Sequence, residues 1–202
     1  VDSNYWRHPF KNSSSYLNNN VFKIVCTANL NPLKGQDVLL KSIFGFKGKW
    51  ELLLIGAKLK THRKYYHSLI KTAIEVQRIN PDCKIHFLDW QTKEQIRNYL
   101  EKCDVFILPS RSEACPIALL EAMSMGKICI ASNVGGVSKI ISDPSKGFLI
   151  NSEEPNEILE ALHNVQNLSI KKRNIIGTNA RSHIKKNYSQ LSISKKFIKL
   201  YC

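Results

Sequence analysis

The chain has 202 residues, 43% of them hydrophobic, and its 30 Lys and Arg against 16 Asp and Glu give a formal net charge of +14. That length and composition suit one globular domain with an ordinary core and exclude a disulfide-dense miniature fold or a disordered chain. No run of about eighteen apolar residues occurs, so no transmembrane helix is expected. The polar start Val1-Asp2-Ser3-Asn4 lacks the apolar core of a signal peptide, which points to a cytoplasmic protein.

Residues 1–20 read as a linker, with Asn12-Ser13-Ser14-Ser15 and Asn18-Asn19-Asn20 as loose lead-in composition. From residue 21 strand and helix patterns alternate. Short apolar runs predict strands at Phe22–Ala28, Trp50–Ile55, Lys84–Leu88, Val105–Leu108, Ile128–Ala131 and Phe148–Ile150. Helical spacing predicts helices at Gln36–Phe44, His62–Ile79, Thr92–Lys102, Ile117–Met125, Val137–Ser142 and Pro155–Val165, with one or two more in the tail. Thr92 with Gln95 forms a capping box. Pro116 suits a first helical position, and Gly126 the residue just past the end. The alternation implies an α/β fold with a Rossmann-like, doubly wound parallel sheet over residues 21–202.

In such sheets, ligands bind beyond the carboxyl ends of the strands. The conspicuous polar positions sit there: Lys34 and Gly35 after the first strand, Gly56 after the second, Leu88-Asp89-Trp90 at the end of the third, Glu113 after the fourth, and Gly135-Gly136 after the fifth. Glu121 lies inside the fifth predicted helix on an otherwise apolar face, where an ionised carboxylate needs a partner. Ala114, Cys115, Pro116, Ile117 and Ala118 straddle that helix start, whose free N–H groups and dipole favour an anion. Taken singly, Lys34 reads as a solvated lysine at a helix start, and Glu121 reads equally as an exposed helix residue. Their convergence at one edge favours a shared site.

Other chemistries fit less well. No Gly-x-Gly-x-x-Gly follows the first strand, and no Walker motif occurs. The two carboxylates could suggest glycoside hydrolysis, but one lies within a helix and a phosphate-compatible site lies beside them. Six cysteines, Cys26, Cys83, Cys103, Cys115, Cys129 and Cys202, are scattered without close pairs and read as reduced thiols. His62 and His67 do not align on one helical face, and no metal is expected.

From Leu33-Lys34-Gly35-Gln36-Asp37-Val38, Leu54-Ile55-Gly56, Glu113 and Glu121 with the helix start between them, Ala131-Ser132-Asn133-Val134-Gly135-Gly136 and Gly147-Phe148-Leu149-Ile150, the chain resembles the C-terminal half of retaining glycosyltransferases of the two-Rossmann-domain, GT-B type. The resemblance runs from Val1 to about residue 165. It implies a donor-binding half whose N-terminal acceptor half is missing from this sequence. It implies transfer of a hexose or N-acetylhexosamine from a nucleotide sugar, UDP-linked by preference, to a lipid-linked polysaccharide of O-antigen or capsule type, without cofactor or metal. Lys34 then meets the pyrophosphate with the helix start at 114–118, Glu121 holds the ribose hydroxyls, Glu113 faces the sugar, and backbone groups near Leu88 and Asp89 read the base. Relatives carry Gly-Arg where this chain has Ala28-Asn29, so a second cation must come from elsewhere. A nucleotide-sugar-binding module without catalysis and a sugar-nucleotide epimerase are the alternatives.

The tail concentrates charge at Lys171, Lys172, Arg173, Arg181, Lys185, Lys186, Lys195, Lys196 and Lys199. A solvated helix face, attraction to the anionic inner face of a bacterial plasma membrane, and nucleic acid compete to explain it. Nucleic acid ranks last, because no aromatic-basic motif accompanies the charge, and no nucleic-acid partner is expected.

Overall fold

The computed structural model describes residues 1–7, 21–151 and 153–201, with side chains to residue 198. Strands β1 (Phe22–Thr27), β2 (Trp50–Ile55), β3 (Lys84–Leu88), β4 (Val105–Leu108), β5 (Ile128–Ser132) and β6 (Phe148–Ile150) alternate with helices. These are α1 (Gln36–Ser42), α2 (Arg63–Ile79), α3 (Lys93–Lys102), α4 (Ile117–Ser124), α5 (Val137–Ile140), α6 (Pro155–Gln166), α7 (Ile170–Asn187) and α8 (Gln190–Tyr201). All strand pairs are parallel, in the order β3-β2-β1-β4-β5-β6. The order reverses between β1 and β4, and a crevice opens at such a reversal.

Alternate strand residues feed two cores, as expected for a sheet covered on both faces. Ile24, Cys26, Leu52, Leu54, Ile107 and Ile130 belong to one. Val25, Phe106, Leu108, Cys129 and Ala131 belong to the other. α1 packs on α2 and α6, while α4 packs on α7. The capping box is present, with Thr92 Oγ1 accepting from the Gln95 amide and Gln95 Oε1 from the Thr92 amide. The α1 pattern stops at Ser42 and tightens into a 3₁₀ turn over Ile43–Gly45.

Two expectations need correction. Pro116 is not the first helical residue. It stands before the helix in an extended conformation (φ −72°, ψ 104°), and its carbonyl accepts from the amides of Leu119 and Leu120. Its ring fixes φ alone, which leaves ψ free for the extended entry. Residues 1–7 are also not loose: Trp6 is 2% exposed in the second core, and Val1 packs against it. Burial of a large aromatic outweighs the polar composition around it. The rest of the expected linker, residues 8–20, lies outside the described residues, as do Ser152 and Cys202.

The tail forms two helices. α7 seats Gly177 on the turn that ends α4, and Arg181 donates to the carbonyls of Ser124 and Met125 there. α8 leaves Leu191, Phe197 and Ile198 exposed. Among the described residues no helix is long and apolar enough to cross a membrane.

A Cβ at residue 177 would lie 2.3 Å from the Gly126 carbonyl oxygen. Alanine is favoured over glycine within a helix by about 1 kcal/mol, but overpacking against backbone costs about 1–3 kcal/mol. Gly177→Ala should therefore lower the urea midpoint, and a raised midpoint would show that α7 does not press on α4.

Candidate functional site

The loop after β1 is built for close approach. Asn31 caps a 3₁₀ turn over Pro32–Lys34 by accepting from the Leu33 amide, and Gly35 (φ 66°) turns the chain into α1. A Cβ on Gly35 would lie 1.9 Å from the Pro109 carbonyl oxygen, so only glycine lets this turn meet the segment after β4. Across the crevice, a Cβ on Gly135 (φ 52°) would lie 1.7 Å from the Glu113 carbonyl oxygen. The segment 109–114 is thus gripped between two glycine turns, one after β1 and one after β5.

These contacts bring Lys34 and Glu113 together. Lys34 Nζ donates to Glu113 Oε1 at 2.7 Å, and Ser110 Oγ donates to the same oxygen at 2.7 Å. The Glu113 side chain is 9% exposed and that of Lys34 26%, so the pair is shielded but reachable. Ser110 is fully buried. Behind the pair, Cys26 is buried and its thiol is pushed up to about 12 by that burial, which leaves it inert.

Arg111, absent from the residues singled out by sequence, ties the site's parts into one body. Its Nη1 and Nη2 each donate to Asp37 at 2.8 Å, and its Nε donates to Glu153 at 2.8 Å. Its Nη1 also donates to the Pro32 carbonyl at 2.5 Å, and its amide to the Leu33 carbonyl at 2.8 Å. Asp37 additionally accepts from Tyr65 Oη at 2.8 Å. Burial works to raise the Asp37 carboxyl, but the bonds from Arg111 and Tyr65 outweigh it and hold the group below its ordinary value. An arginine two residues before Glu113 carried no sequence signal, because its partners are 74 and 42 positions away.

Glu121 projects from the second turn of α4, apart from the ion pair. It is half-buried, and its carboxyl is in no hydrogen bond or salt bridge among the described residues. Burial pushes its carboxyl up to about 7, opposed by Lys93 and the chain's amino group. At the start of α4, the amides of Cys115, Ile117 and Ala118 donate no hydrogen bond among the described residues. Ala114, Cys115 and Ile117 are exposed, and Pro116 is buried. Cys115 is the exposed one of the described cysteines. The Leu88 carbonyl accepts from the Gly56 amide at 3.0 Å, and exposed Asp89 accepts from the Trp90 amide at 2.8 Å. The hydroxyls of Thr27 and Ser132, at the carboxyl ends of β1 and β5, are buried and make no hydrogen bond among the described residues. Buried polar atoms of this kind are rare outside sites that take a ligand or water.

The strand order and a charged crevice at its reversal define a Rossmann-like domain of the GT-B type. A family model described as glycosyl transferases group 1 matches residues 9–183, and the chain belongs to that family. The Escherichia coli UDP-Gal:alpha-D-GlcNAc-diphosphoundecaprenol alpha-1,3-galactosyltransferase is 34% identical over 118 residues, covering 58% of this chain and 30% of the relative. The lipopolysaccharide 1,2-N-acetylglucosaminetransferase of Salmonella typhimurium is 26% identical over 203 residues, covering 96% and 52%. The chain therefore spans about half or less of these curated relatives. Anabaena HepE, solved in complex with UDP and glucose, superposes with a TM-score of 0.85 at 20% identity over 100% of this chain and 54% of that one. The C-terminal domain of the group 1 protein LpcC from Francisella tularensis gives 0.79 at 16% identity, over 94% of this chain and 99% of that one. At these identities the structures establish the shared fold.

Two outcomes check this geometry. Arg111→Ala should cost about 1.5–3 kcal/mol, the range for hydrogen bonds to charged groups, and speed amide exchange over residues 32–37. Unchanged exchange there would show that Arg111 does not anchor the turn. For Glu121 the folded value lies above the unfolded one, so its stabilising contribution is complete below the unfolded pKa and is lost as pH rises through about 7. Glu121→Gln should accordingly raise stability at pH 8 by about 1–2 kcal/mol after allowance for solvent screening, with the gain vanishing at pH 4. A pH-independent difference in denaturant midpoints would count against the assigned environment.

Proposed function

We propose that this chain is the donor-binding half of a retaining, metal-independent glycosyltransferase. It serves transfer of a hexose or N-acetylhexosamine from a UDP-linked sugar to a lipid-linked surface-polysaccharide acceptor, with the acceptor half supplied by sequence outside this chain. The observation that carries the reading is the Lys34–Glu113 pair at the reversal point between β1 and β4. Relatives support the substrate class: the Escherichia coli enzyme is named for a UDP-galactose donor and a diphosphoundecaprenol-linked acceptor, and HepE was solved with UDP and glucose.

In this reading Lys34 exchanges Glu113 for the diphosphate, and the free amides at the start of α4 add donors. Together they neutralise the charge that grows on the departing diphosphate. Glu121, lacking a partner, accepts from both ribose hydroxyls once ionised. Glu113, released from Lys34, holds the sugar and faces the positive charge that develops at the anomeric carbon. Backbone groups at Leu88 and Asp89 flank the base. The Leu88 carbonyl is already engaged by Gly56, so the base has one fewer acceptor there. The domain acts in the cytoplasm, and the exposed Leu191, Phe197 and Ile198 beside Lys195 and Lys196 on α8 are compatible with contact at an anionic membrane surface.

Calorimetry with UDP and uridine tests the assignment. Lys34→Ala should weaken UDP binding by about 1.5–3 kcal/mol and leave uridine binding unchanged. Equal losses for both ligands would remove Lys34 from the phosphate site. Glu113→Gln should leave UDP binding equal or tighter, because it removes the competitor for Lys34. In the full-length enzyme the same change should lower kcat about a hundredfold. Incubation of that enzyme with a UDP-sugar separates the alternatives: transfer supports the proposal, isomerised sugar identifies an epimerase, and binding without product identifies a silent module.

A further inference from the structure

The loop after β2 carries a second concentration of charge that the donor site does not use. Between Glu51 and Glu75 the sequence holds no acid, while Lys58, Lys60, Arg63, Lys64 and Lys71 all fall there. Lys58, Leu59, Lys60, Arg63 and Tyr66 line a half-open surface pocket of about 400 Å³, with Lys58, Lys60 and Arg63 all exposed. The Lys58 ammonium lies over the Tyr66 ring, 5.2 Å from its centroid, and Tyr66 is braced edge-on against Phe87 at 5.8 Å. This contact places the solvent-exposed Lys58 ammonium at the pocket wall.

This cavity sits on the ligand-bearing edge of the sheet. Leu30 forms a parallel bridge with Lys58, and the Leu30 amide donates to the Ala57 carbonyl at 3.0 Å. The loop after β2 is therefore fastened to the loop after β1 that carries Lys34. The neighbouring Tyr65 reaches Asp37 and Gln36, fixing α2 against α1. The electrostatics differ sharply between the two places. Lys34 is paired with Glu113, and Arg111 with Asp37 and Glu153. Among the described residues, Lys58, Lys60 and Arg63 are in no salt bridge. α2 also begins with basic residues and no acid in its first turn, although a helix start favours negative charge. Three exposed cations border one pocket with no acid among its lining residues, so an anion placed there would meet positive charge from each of them.

We propose that this cavity is a second anion site, which takes a phosphate-bearing group not held by the Lys34–Glu113 pair. Its ligand is a mono- or diphosphate of free or lipid-borne origin. The three cations hold its oxygens, and the Leu59 and Tyr66 side chains border it. The inference does not need the donor site to be occupied, so its failure and failure of the proposed transferase reading are separable.

The test uses the whole chain, with inorganic pyrophosphate as the probe and amide chemical shifts as the readout. Pyrophosphate should produce saturable shifts over residues 58–66. The triple change Lys58→Gln, Lys60→Gln and Arg63→Gln should weaken that binding about tenfold or more, while preserved spectral dispersion shows an intact fold. Lys34→Ala should leave these shifts within about twofold, as should a control triple of equal charge change at Lys171, Lys172 and Lys185. Shifts that never saturate, or an equal loss in the control triple, would reduce the cluster to a solvated basic patch and overturn the proposal. Loss in Lys34→Ala alone would do the same by merging the two sites. Vesicles of phosphatidylcholine with and without phosphatidic acid assign the source. Lipid-dependent shifts lost in the first triple place the phosphate on a lipid, whereas pyrophosphate shifts without a vesicle effect place it on a free ligand.

Discussion

The segment from Pro109 to Ala114 lies so close to two neighbouring turns that a single added carbon at Gly35 or Gly135 would overlap its backbone. Everything at the crevice depends on that tolerance. Strands β1, β4 and β5 deliver three chain segments to one edge, but delivery alone leaves them a side chain's width apart. Removing two Cβ atoms closes the gap, and backbone rather than side chains then sets the spacing of Lys34 from Glu113. Arg111 completes the assembly by linking the turn after β1, the start of α1 and Glu153 beyond β6.

Burial and charge divide the crevice into regions of unlike chemistry. The centre holds an ion pair that neutralises itself. The α4 side holds Glu121, a carboxyl that burial makes reluctant to ionise and that has no bonded partner. The β2 side holds uncompensated cations. Burial strengthens the contrast at Glu113 and Glu121, while the β2-side cations are exposed, so a ligand lying across these regions would meet a graded field rather than one basic surface.

Much of this was legible in sequence because it is local. Strand positions followed from short apolar runs, the α3 cap from Thr92 and Gln95, and the end of α4 from Gly126. Glu121 stood out because it broke an apolar helical pattern, and Glu113 because it follows the carboxyl end of a predicted strand. What was not legible is long-range. The Lys34–Glu113 contact joins positions 79 apart, and Arg111 makes its bonds 42 to 79 positions away. Spacing cannot encode such pairs; only the strand order places them. The entry of Pro116 was misread for a smaller reason, since proline restricts φ and leaves ψ to the context. Trp6 was missed because polar neighbours hid one large apolar side chain with a waiting hole in the core. The basic residues at 58–63 were overlooked beside the denser charge of the tail, and their pocket was not legible, because the Tyr66 wall exists only after α2 packs beside β3.

On the proposed donor-site reading, the Lys34–Glu113 contact also supplies a means of rejection. A ligand that offers only hydroxyl groups must compete with a carboxylate already bound to the lysine, and it brings nothing that replaces the lost attraction. A ligand with a diphosphate replaces one negative partner by another and frees the carboxylate for its own hydroxyls. Discrimination of this kind penalises the wrong molecule rather than rewarding the right one. On the proposed reading, a bare sugar is disfavoured relative to a sugar joined to a diphosphate by an occupant that belongs to the protein itself.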